Sequence, residues 1–251
     1  MNKKRPTKQN SRQKTYSGYV ELLDFDSALK KYNQYLIKKF IGMSRYSSGK
    51  TVLDFGAGLG SLADLWLLHT SVKPDCVEID EVSQRDLKSK GYVVYPDLED
   101  VSQKYDIVYC SNVLEHIEQD FDTISNFRRV MKSSSIVVIY VPALQFLFSD
   151  LDHKVGHYRR YSKSDLVAKF EGNGFEVISC DFVDSIGVIA SLAIKLFGWR
   201  STLNIGSKRS VQFYDRFIFP LSTYLDLLGL QKVIGKNLFL VARIGVEGLH
   251  K

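Results

Sequence analysis

Cysteine and proline are scarce in this sequence, and their scarcity excludes several classes of protein. The 251 residues include only 3 cysteines and 5 prolines. Cys76, Cys110 and Cys180 form no C-x-x-C pair, so neither a zinc ribbon nor a disulfide framework is expected. The low proline content, together with only 17 glycines, excludes a collagen-like or low-complexity chain.

Long hydrophobic runs are also missing. The longest apolar stretch covers residues 186–198 and contains Lys195, so it is too short to span a bilayer. The N-terminus is basic, but no apolar segment follows it as a signal peptide requires. We therefore expect a cytoplasmic protein, with peripheral contact at the inner face of the membrane as an alternative.

Acidic residues are absent from the first 14 positions, which hold six cations. Subtracting these six from the 34 basic residues leaves 28, which equals the number of acidic residues. The pattern predicts a disordered basic tail at residues 1–14 and a neutral remainder. Because a nucleic-acid-binding domain carries its excess of cations in the folded part, no nucleic acid partner is expected.

Short apolar runs alternate with helical patterns along most of the chain. Strands are predicted at 51–55, 76–80, 92–95, 106–111, 135–141, 176–183 and 238–246. Helices are predicted at 27–41, from Ser61 onward, at 81–90, at 121–131, and from Ser162 to 172 or 174. The alternation predicts an α/β fold, with a Rossmann-like, doubly wound, mostly parallel sheet and helices on both faces. Residues 15–251 are predicted to form a single domain, in which 184–236 is a helical cap inserted before the last strand.

A glycine-rich turn after the first predicted strand is the most informative segment. The residues Val52–Gly60 read V-L-D-F-G-A-G-L-G, so a strand enters a glycine turn that opens a helix. Such a turn lets the backbone approach a ligand closely. The spacing is G-x-G-x-G, whereas the dinucleotide-binding fingerprint is G-x-G-x-x-G. Asp54, just before the turn, would repel a pyrophosphate and favour a cationic ligand.

Polar side chains follow the next three predicted strands. Glu78 lies in V-E-I-D, Asp97 in P-D-L, and the fourth strand ends in C-S-N-V-L-E-H-I at residues 110–117. These positions fall at carboxyl ends of strands, which is where open α/β sheets bind ligands. An acid after the second strand is placed to accept hydrogen bonds from ribose hydroxyls.

Together these segments resemble the motifs of class I S-adenosylmethionine-dependent methyltransferases. The resemblance implies that S-adenosylmethionine is the cofactor. By this resemblance, Asp54 would hold the ammonium group of the cofactor. Glu78 would bind the ribose, with Asp80 as a less well aligned alternative. Asp97 and Leu98 would contact the adenine. The implied cofactor-binding residues are Asp54, Gly56, Ala57, Gly58, Glu78, Ile79, Asp97, Leu98, Ser111 and Asn112. The segment G-H-Y-R-R-Y at Gly156–Tyr161 further resembles a bacterial subgroup associated with glycan or lipid-linked sugar biosynthesis.

The candidates for catalysis follow the fourth and fifth strands, and they are Glu115, His116, His157 and Tyr158. His116 is a candidate general base because the unperturbed imidazole pKa of about 6.5 suits neutral pH. His157 is an alternative base, and Arg159 and Arg160 are candidates for binding an anionic group of the acceptor. The alternative is structural, with Glu115 and His116 supporting a helix and 156–161 forming a charged loop.

The sequence predicts a methyltransferase acting on a small-molecule or glycan/lipid-linked acceptor, most simply at oxygen. Two alternatives are a non-catalytic cofactor-binding module and a nicotinamide-dependent oxidoreductase, which the glycine spacing and Asp54 disfavour. A third is a metal-dependent RNA methyltransferase, whose ligand set Glu115, His116 and a later histidine resemble. Because Asn112 replaces a carboxylate of that set and Gly156 disfavours a helix there, no metal is expected.

Overall fold

A seven-stranded sheet flanked by helices forms the protein. The computed structural model describes residues 28–197 and 207–245, and the predicted tail at 1–14 lies outside them. The strands are Val52–Phe55 (β1), Asp75–Val77 (β2), Val94–Tyr95 (β3), Tyr105–Ser111 (β4), Met131–Pro142 (β5), Phe175–Val183 (β6) and Asn237–Ile244 (β7). The α-helices are Lys30–Met43 (α1), Ser61–Thr70 (α2), Glu81–Ser89 (α3), Asp120–Phe127 (α4), Asp150–Val155 (α5), Lys163–Gly172 (α6), Gly187–Phe197 (α7), Lys208–Phe213 (α8) and Phe219–Leu227 (α9).

The strand order is β3-β2-β1-β4-β5-β7-β6. The first five strands are parallel, whereas β7 runs antiparallel to both β5 and β6. The predicted Rossmann-like, mostly parallel sheet is therefore confirmed. The order reverses between β1 and β4, so the ligand crevice of an open α/β sheet is expected above these two strands.

The core lies on both faces of the sheet because successive strand residues point to opposite sides. On one face, Val108 and Cys110 of β4 pack with residues of α4 and α6. On the other face, Ile107 and Tyr109 pack with residues of α1, α2 and α9. Both faces are covered, which explains why these strands read as continuous apolar runs.

Helices α7, α8 and α9 lie between β6 and β7, where the sequence predicts a helical cap. A π-helical turn, Tyr214–Ile218, joins α8 to α9. The buried carboxylate of Asp215 in this turn accepts hydrogen bonds from the backbone N–H groups of Lys31 and Tyr32, at 3.0 and 2.8 Å. Asp215 thus satisfies free N–H groups in the first turn of α1 and ties this helix to the segment before β7. Among the described helices, none combines the length and the apolarity that crossing a membrane demands.

Candidate active site

A cavity of about 470 Å³ opens at the carboxyl ends of β1, β2 and β4. Its volume lies within the range of about 300–1,000 Å³ that is usual for small-molecule sites. The predicted cofactor residues that line it are Gly56, Ala57, Gly58, Glu78, Ile79, Ser111 and Asn112. The candidate base His116 lines the same cavity. The glycine loop and one catalytic candidate therefore meet at the crevice that the strand order predicts.

The glycine loop presents its backbone to the cavity. The N–H groups of Gly56 and Ala57 donate to the carbonyl oxygen of Val77, at 2.8 and 3.1 Å. Gly56 has a φ of +79°, and a Cβ atom there would overlap the side chain of Val113. Gly58 has a φ of +54°, and a Cβ atom there would meet no other atom within 4 Å. The first glycine thus permits close packing of two loops, and the second leaves room beside the main chain.

Glu78 joins the end of β2 to the glycine loop. Its carboxylate accepts hydrogen bonds from the backbone N–H of Gly58 at 2.7 Å and of Asp80 at 2.8 Å. A carboxylate has about four acceptor positions, so Glu78 retains capacity for donors from the cavity. Asp80 also lines the cavity, but its side chain caps α3 by accepting from the N–H of Ser83 at 2.8 Å. Glu78 is consequently the better placed of the two acids for ribose hydroxyls.

Asp54 is buried and does not line the cavity. Its carboxylate accepts a hydrogen bond of 2.8 Å from the hydroxyl of Tyr109, its register partner on β4. Burial raises the pKa of Asp54 to about 7, although the Tyr109 hydrogen bond acts to lower it. Direct contact of Asp54 with an ammonium group stays a prediction.

Asp97 and Leu98 lie apart from the cavity lining. Asp97 is exposed, and its side chain accepts a hydrogen bond from the backbone N–H of Glu99 at the start of a 3₁₀ turn. Leu98 is buried in the apolar core. Because neither residue lines the cavity, their contact with adenine stays a prediction.

The catalytic candidates Glu115, His116 and His157 form one cluster. Glu115 and His116 belong to a 3₁₀ turn after β4, and His157 follows α5. The two imidazole rings lie 4.6 Å apart between centroids, in a T-shaped arrangement. One donor atom from each of the three residues lies within 4.8 Å of the others.

Glu115 is fully buried, and neither carboxylate oxygen accepts a hydrogen bond from another described residue. Burial raises the pKa of this carboxyl to about 8, and the nearby Asp152 acts in the same direction while Arg160 opposes it. Burial, together with the His157 ring, lowers the pKa of His116 to about 4, so its imidazole is neutral near pH 7. A neutral imidazole facing a cavity can accept a proton or coordinate an ion.

Asp152 orients His157. The Oδ1 atom of Asp152 lies 2.8 Å from Nδ1 of His157, and Arg160 donates to both carboxylate oxygens, at 2.9 and 3.1 Å. Although burial would raise it, these hydrogen bonds lower the pKa of Asp152 to about 2. The other ring nitrogen of His157, Nε2, lies 3.9 Å from Oε1 of Glu115.

Both arginines of the G-H-Y-R-R-Y segment are paired with buried carboxylates. Arg160 is paired with Asp152, and Arg159 forms an ion pair of 2.8 Å with Asp120. Binding of an anionic group of the acceptor by either arginine stays a prediction. Tyr158 is half exposed and absent from the cavity lining, while its backbone N–H donates to the carbonyl of Glu115 at 2.8 Å.

Gly156 ends a helix before His157, which agrees with the expectation that it disfavours a helix carrying both His153 and His157. Helix α5 spans Asp150–Val155, and Gly156 follows it with a φ of +83°, the left-handed conformation that commonly ends helices. His153 stacks edge-on against Phe148, outside the cluster, so its sequence spacing from His157 is incidental.

Comparison with known proteins decides the family. A sequence profile described as a methyltransferase domain matches residues 25–180, which is more than half of the chain. The chain belongs to this methyltransferase-domain family. A search of curated protein sequences gives no significant match to the methyltransferase.

Solved structures show which fold the methyltransferase shares. A SAM-dependent methyltransferase from Archaeoglobus fulgidus is 17% identical, with a TM-score of 0.57 over 87% of this chain and 97% of that one. The cyclopropane synthase MmaA2 from Mycobacterium tuberculosis is 13% identical, with a TM-score of 0.61 over 95% and 100%. The mycolic acid cyclopropane synthase CmaA1, complexed with SAH and CTAB, is 13% identical, with a TM-score of 0.60 over 93% and 98%. The chain therefore shares the Rossmann-like fold of these methyltransferase structures.

Helix α1 forms one wall of the cavity, and the sequence does not predict this wall. Leu29, Tyr32, Asn33 and Leu36, at the start of this helix or just before it, line the cavity of the methyltransferase. The sequence shows three of them as part of an apolar helical stripe, which signals a buried face but not the cavity beneath it. The hydroxyl of Tyr32 donates to that of Tyr140 on β5 at 2.6 Å and so fixes this wall to the sheet.

Proposed function

We propose that the protein transfers a methyl group from S-adenosylmethionine to an oxygen atom of a glycan- or lipid-linked acceptor. The observation that carries this proposal is that the glycine loop, Glu78 and His116 line the same cavity. The donor set fits the cofactor, since Gly58 leaves open space and Glu78 retains acceptor capacity for hydroxyl groups. When bound, the cofactor supplies a methyl group whose transfer breaks its bond to sulfur and leaves the electron pair on sulfur.

In this proposal the cluster after β4 handles the acceptor hydroxyl. His116 lines the cavity and is neutral near pH 7, so it is placed to accept the hydroxyl proton. His157 and Glu115 lie behind it, and Asp152 fixes the orientation of His157. The chain thereby provides alignment and one proton acceptor, which is most of what a displacement at an activated methyl group needs from a protein.

An exposed apolar stripe in the segment before β7 supports the proposed membrane contact, and with it a lipid-linked acceptor. The apolar stripe Phe213, Phe217, Leu221, Tyr224 and Leu228 recurs at helical steps, and its members are 51–69% exposed. The exposed charges around it are cations, among them Arg209, Arg216 and Lys232. Both acids of residues 207–236, Asp215 and Asp226, are buried. An apolar helical face edged by cations suits the surface of an anionic membrane.

The resemblance of Gly156–Tyr161 to a bacterial subgroup supports the glycan association. The experiment is methyl transfer from tritiated S-adenosylmethionine to a bacterial extract that is then separated into lipid, soluble glycan, protein and RNA fractions. Label in the lipid or glycan fraction supports the proposal. Label confined to RNA favours the metal-dependent RNA methyltransferase, and cofactor binding without any label favours the non-catalytic module.

Membrane contact has its own test. Sedimentation with vesicles of mixed phosphatidylcholine and phosphatidylglycerol should carry the protein down, and the variant Leu221→Ser/Leu228→Ser should stay in the supernatant. Leu68→Ser is the matched control, because Leu68 is 70% exposed on helix α2, outside the apolar stripe. Equal sedimentation of all three proteins would contradict contact through the apolar stripe.

A further inference from the structure

The buried carboxylate of Glu115 lies beside two imidazoles without a hydrogen bond from another described residue. It is fully buried, and neither oxygen accepts a hydrogen bond from another described residue. A buried carboxylate with no partner is costly, so native proteins pair it with a cation or protonate it. Arg160, the arginine that affects its pKa, donates instead to Asp152.

The gap between Glu115 and His157 is wider than a hydrogen bond. The Nε2 atom of His157 lies 3.9 Å from Oε1 of Glu115, while Nδ1 of the same ring lies 2.8 Å from Oδ1 of Asp152. A hydrogen bond between nitrogen and oxygen requires about 2.7–3.2 Å, so a shared proton fits this gap poorly. Two ligand atoms that are each about 2.1 Å from one ion lie about 3.0–4.2 Å apart, which the observed separation matches.

His116 completes a three-residue donor set. The candidate donor atoms of Glu115, His116 and His157 lie within 4.8 Å of one another, so a side-chain shift of less than about 1 Å brings all three within the roughly 4.2 Å limit for one shared ion. Nδ1 of His157 lies 2.8 Å from Oδ1 of Asp152, which is the second polar contact that metal-ligating histidines usually have.

We propose that Glu115, His116 and His157 bind a divalent first-row transition-metal ion at the edge of the cofactor cavity. Two imidazoles and one carboxylate are the donors of catalytic zinc and non-haem iron sites, whereas magnesium and calcium prefer oxygen donors alone. Three protein ligands leave coordination positions open, and His116 lines the cavity from which an acceptor oxygen reaches them.

The consequence for catalysis rests on the proposed function. An ion in this site would bind the acceptor hydroxyl and lower the pKa of its proton, which then passes to solvent water. His116 would act in the metal-loaded protein as a ligand and not as the proton acceptor. Asp152 would be a positioning residue, since it contacts His157 and not the ion.

Metal binding can be measured without activity. Protein stripped with a chelator is titrated with Zn²⁺ and with Mn²⁺ by calorimetry, and metal content is measured after dialysis. We expect one ion per chain, with affinity lowered at least tenfold in Glu115→Gln and in His157→Gln. Glu118→Gln and His153→Gln are matched controls, because both residues are exposed and neither belongs to the cluster. Glu115→Gln keeps the side-chain shape and breaks no hydrogen bond to another residue, so circular dichroism should show an intact fold.

The outcomes separate this inference from the proposed function. Absence of saturable binding of both ions, or equal affinity in Glu115→Gln and Glu118→Gln, would overturn the metal site. S-adenosylhomocysteine binding measured on the same samples tests the cofactor cavity independently. Cofactor binding without metal binding would contradict only the proposed metal site. Metal binding without cofactor binding would contradict only the proposed function.

Discussion

The Nε2 atom of His157 lies 3.9 Å from Oε1 of Glu115, across the junction between the loop after β4 and the loop after α5. The two residues are far apart in sequence, and each is positioned by a hydrogen bond with a neighbouring residue. Tyr158 donates its backbone N–H to the carbonyl of Glu115, and Asp152 holds the His157 ring. The G-H-Y-R-R-Y segment thus builds the site through its backbone and histidine, while its arginines neutralise internal acids.

Replacing the buried Glu115 should change how stability depends on pH. Because the folded protein raises the pKa of this acid from 4.5 to about 8, the folded state binds a proton more tightly than the unfolded state. In metal-free protein, stability should therefore fall as pH rises from 4.5 toward 8. Between pH 7 and 8, the free energy of unfolding measured with urea should fall by about 1 kcal/mol less in Glu115→Gln than in the parent protein.

The pH interval of that comparison isolates Glu115. Asp54, whose pKa is raised to about 7, changes the stability mainly below this interval. His116, whose pKa is lowered to about 4, changes it between pH 4 and 6.5. Glu118→Gln should leave the pH dependence of the parent protein unchanged. Identical slopes for Glu115→Gln and the parent protein would show that Glu115 is ionised in the folded state.

Two alanine substitutions in the glycine loop should have different effects. Gly56→Ala combines a φ of +79° with overlap on Val113, so we expect a lower melting temperature. Gly58→Ala has the strain of its positive φ, about 1–2 kcal/mol, but meets no neighbouring atom. It should therefore destabilise the fold less, while its methyl group enters the space assigned to the cofactor. Melting curves and S-adenosylhomocysteine calorimetry on both variants distinguish them, and equal losses of stability would contradict this assignment.

Removing the imidazole of His116 should reduce turnover and spare cofactor affinity. His116→Ala removes a group that lines the cavity, and loss of a general base or of a metal ligand typically lowers kcat by about 10²–10⁴-fold. His69→Ala is the control, since His69 lies on α2 and contacts Gln34 away from the cluster. Steady-state methyl transfer gives kcat, and calorimetry gives the affinity for S-adenosylhomocysteine. Unchanged turnover in His116→Ala would refute its catalytic role.

Much of the fold follows from local patterns in the sequence. The segment Val52–Gly60 combines an apolar run with a glycine turn, and both signals arise from neighbouring residues, so β1, its loop and the start of α2 are predicted correctly. Helix α5 escapes prediction because a six-residue helix is too short to show a periodicity. Gly156, which the sequence predicts to disfavour a helix that reaches His157, ends α5 in the left-handed conformation.

Long-range partners explain what the sequence left open at the site. The pairing of Arg160 with Asp152 depends on how α5 folds back, and no local pattern encodes it. The position of α1 over the cavity depends on Asp215, which lies near the other end of the chain. Glu78 was identified because the carboxyl ends of parallel strands meet at one edge, a rule that needs no distant contact.

Calorimetry with S-adenosylhomocysteine tests the central claim, that the cavity between the glycine loop and α1 holds the methyl donor. The parent protein should bind it with micromolar affinity and should not bind NAD. Glu78→Ala should lose about 1–3 kcal/mol of binding free energy, whereas Glu81→Ala, an exposed acid on α3 outside the cavity lining, should lose none. Binding of NAD in preference to S-adenosylhomocysteine, or equal affinity in Glu78→Ala and the parent protein, would contradict the claim.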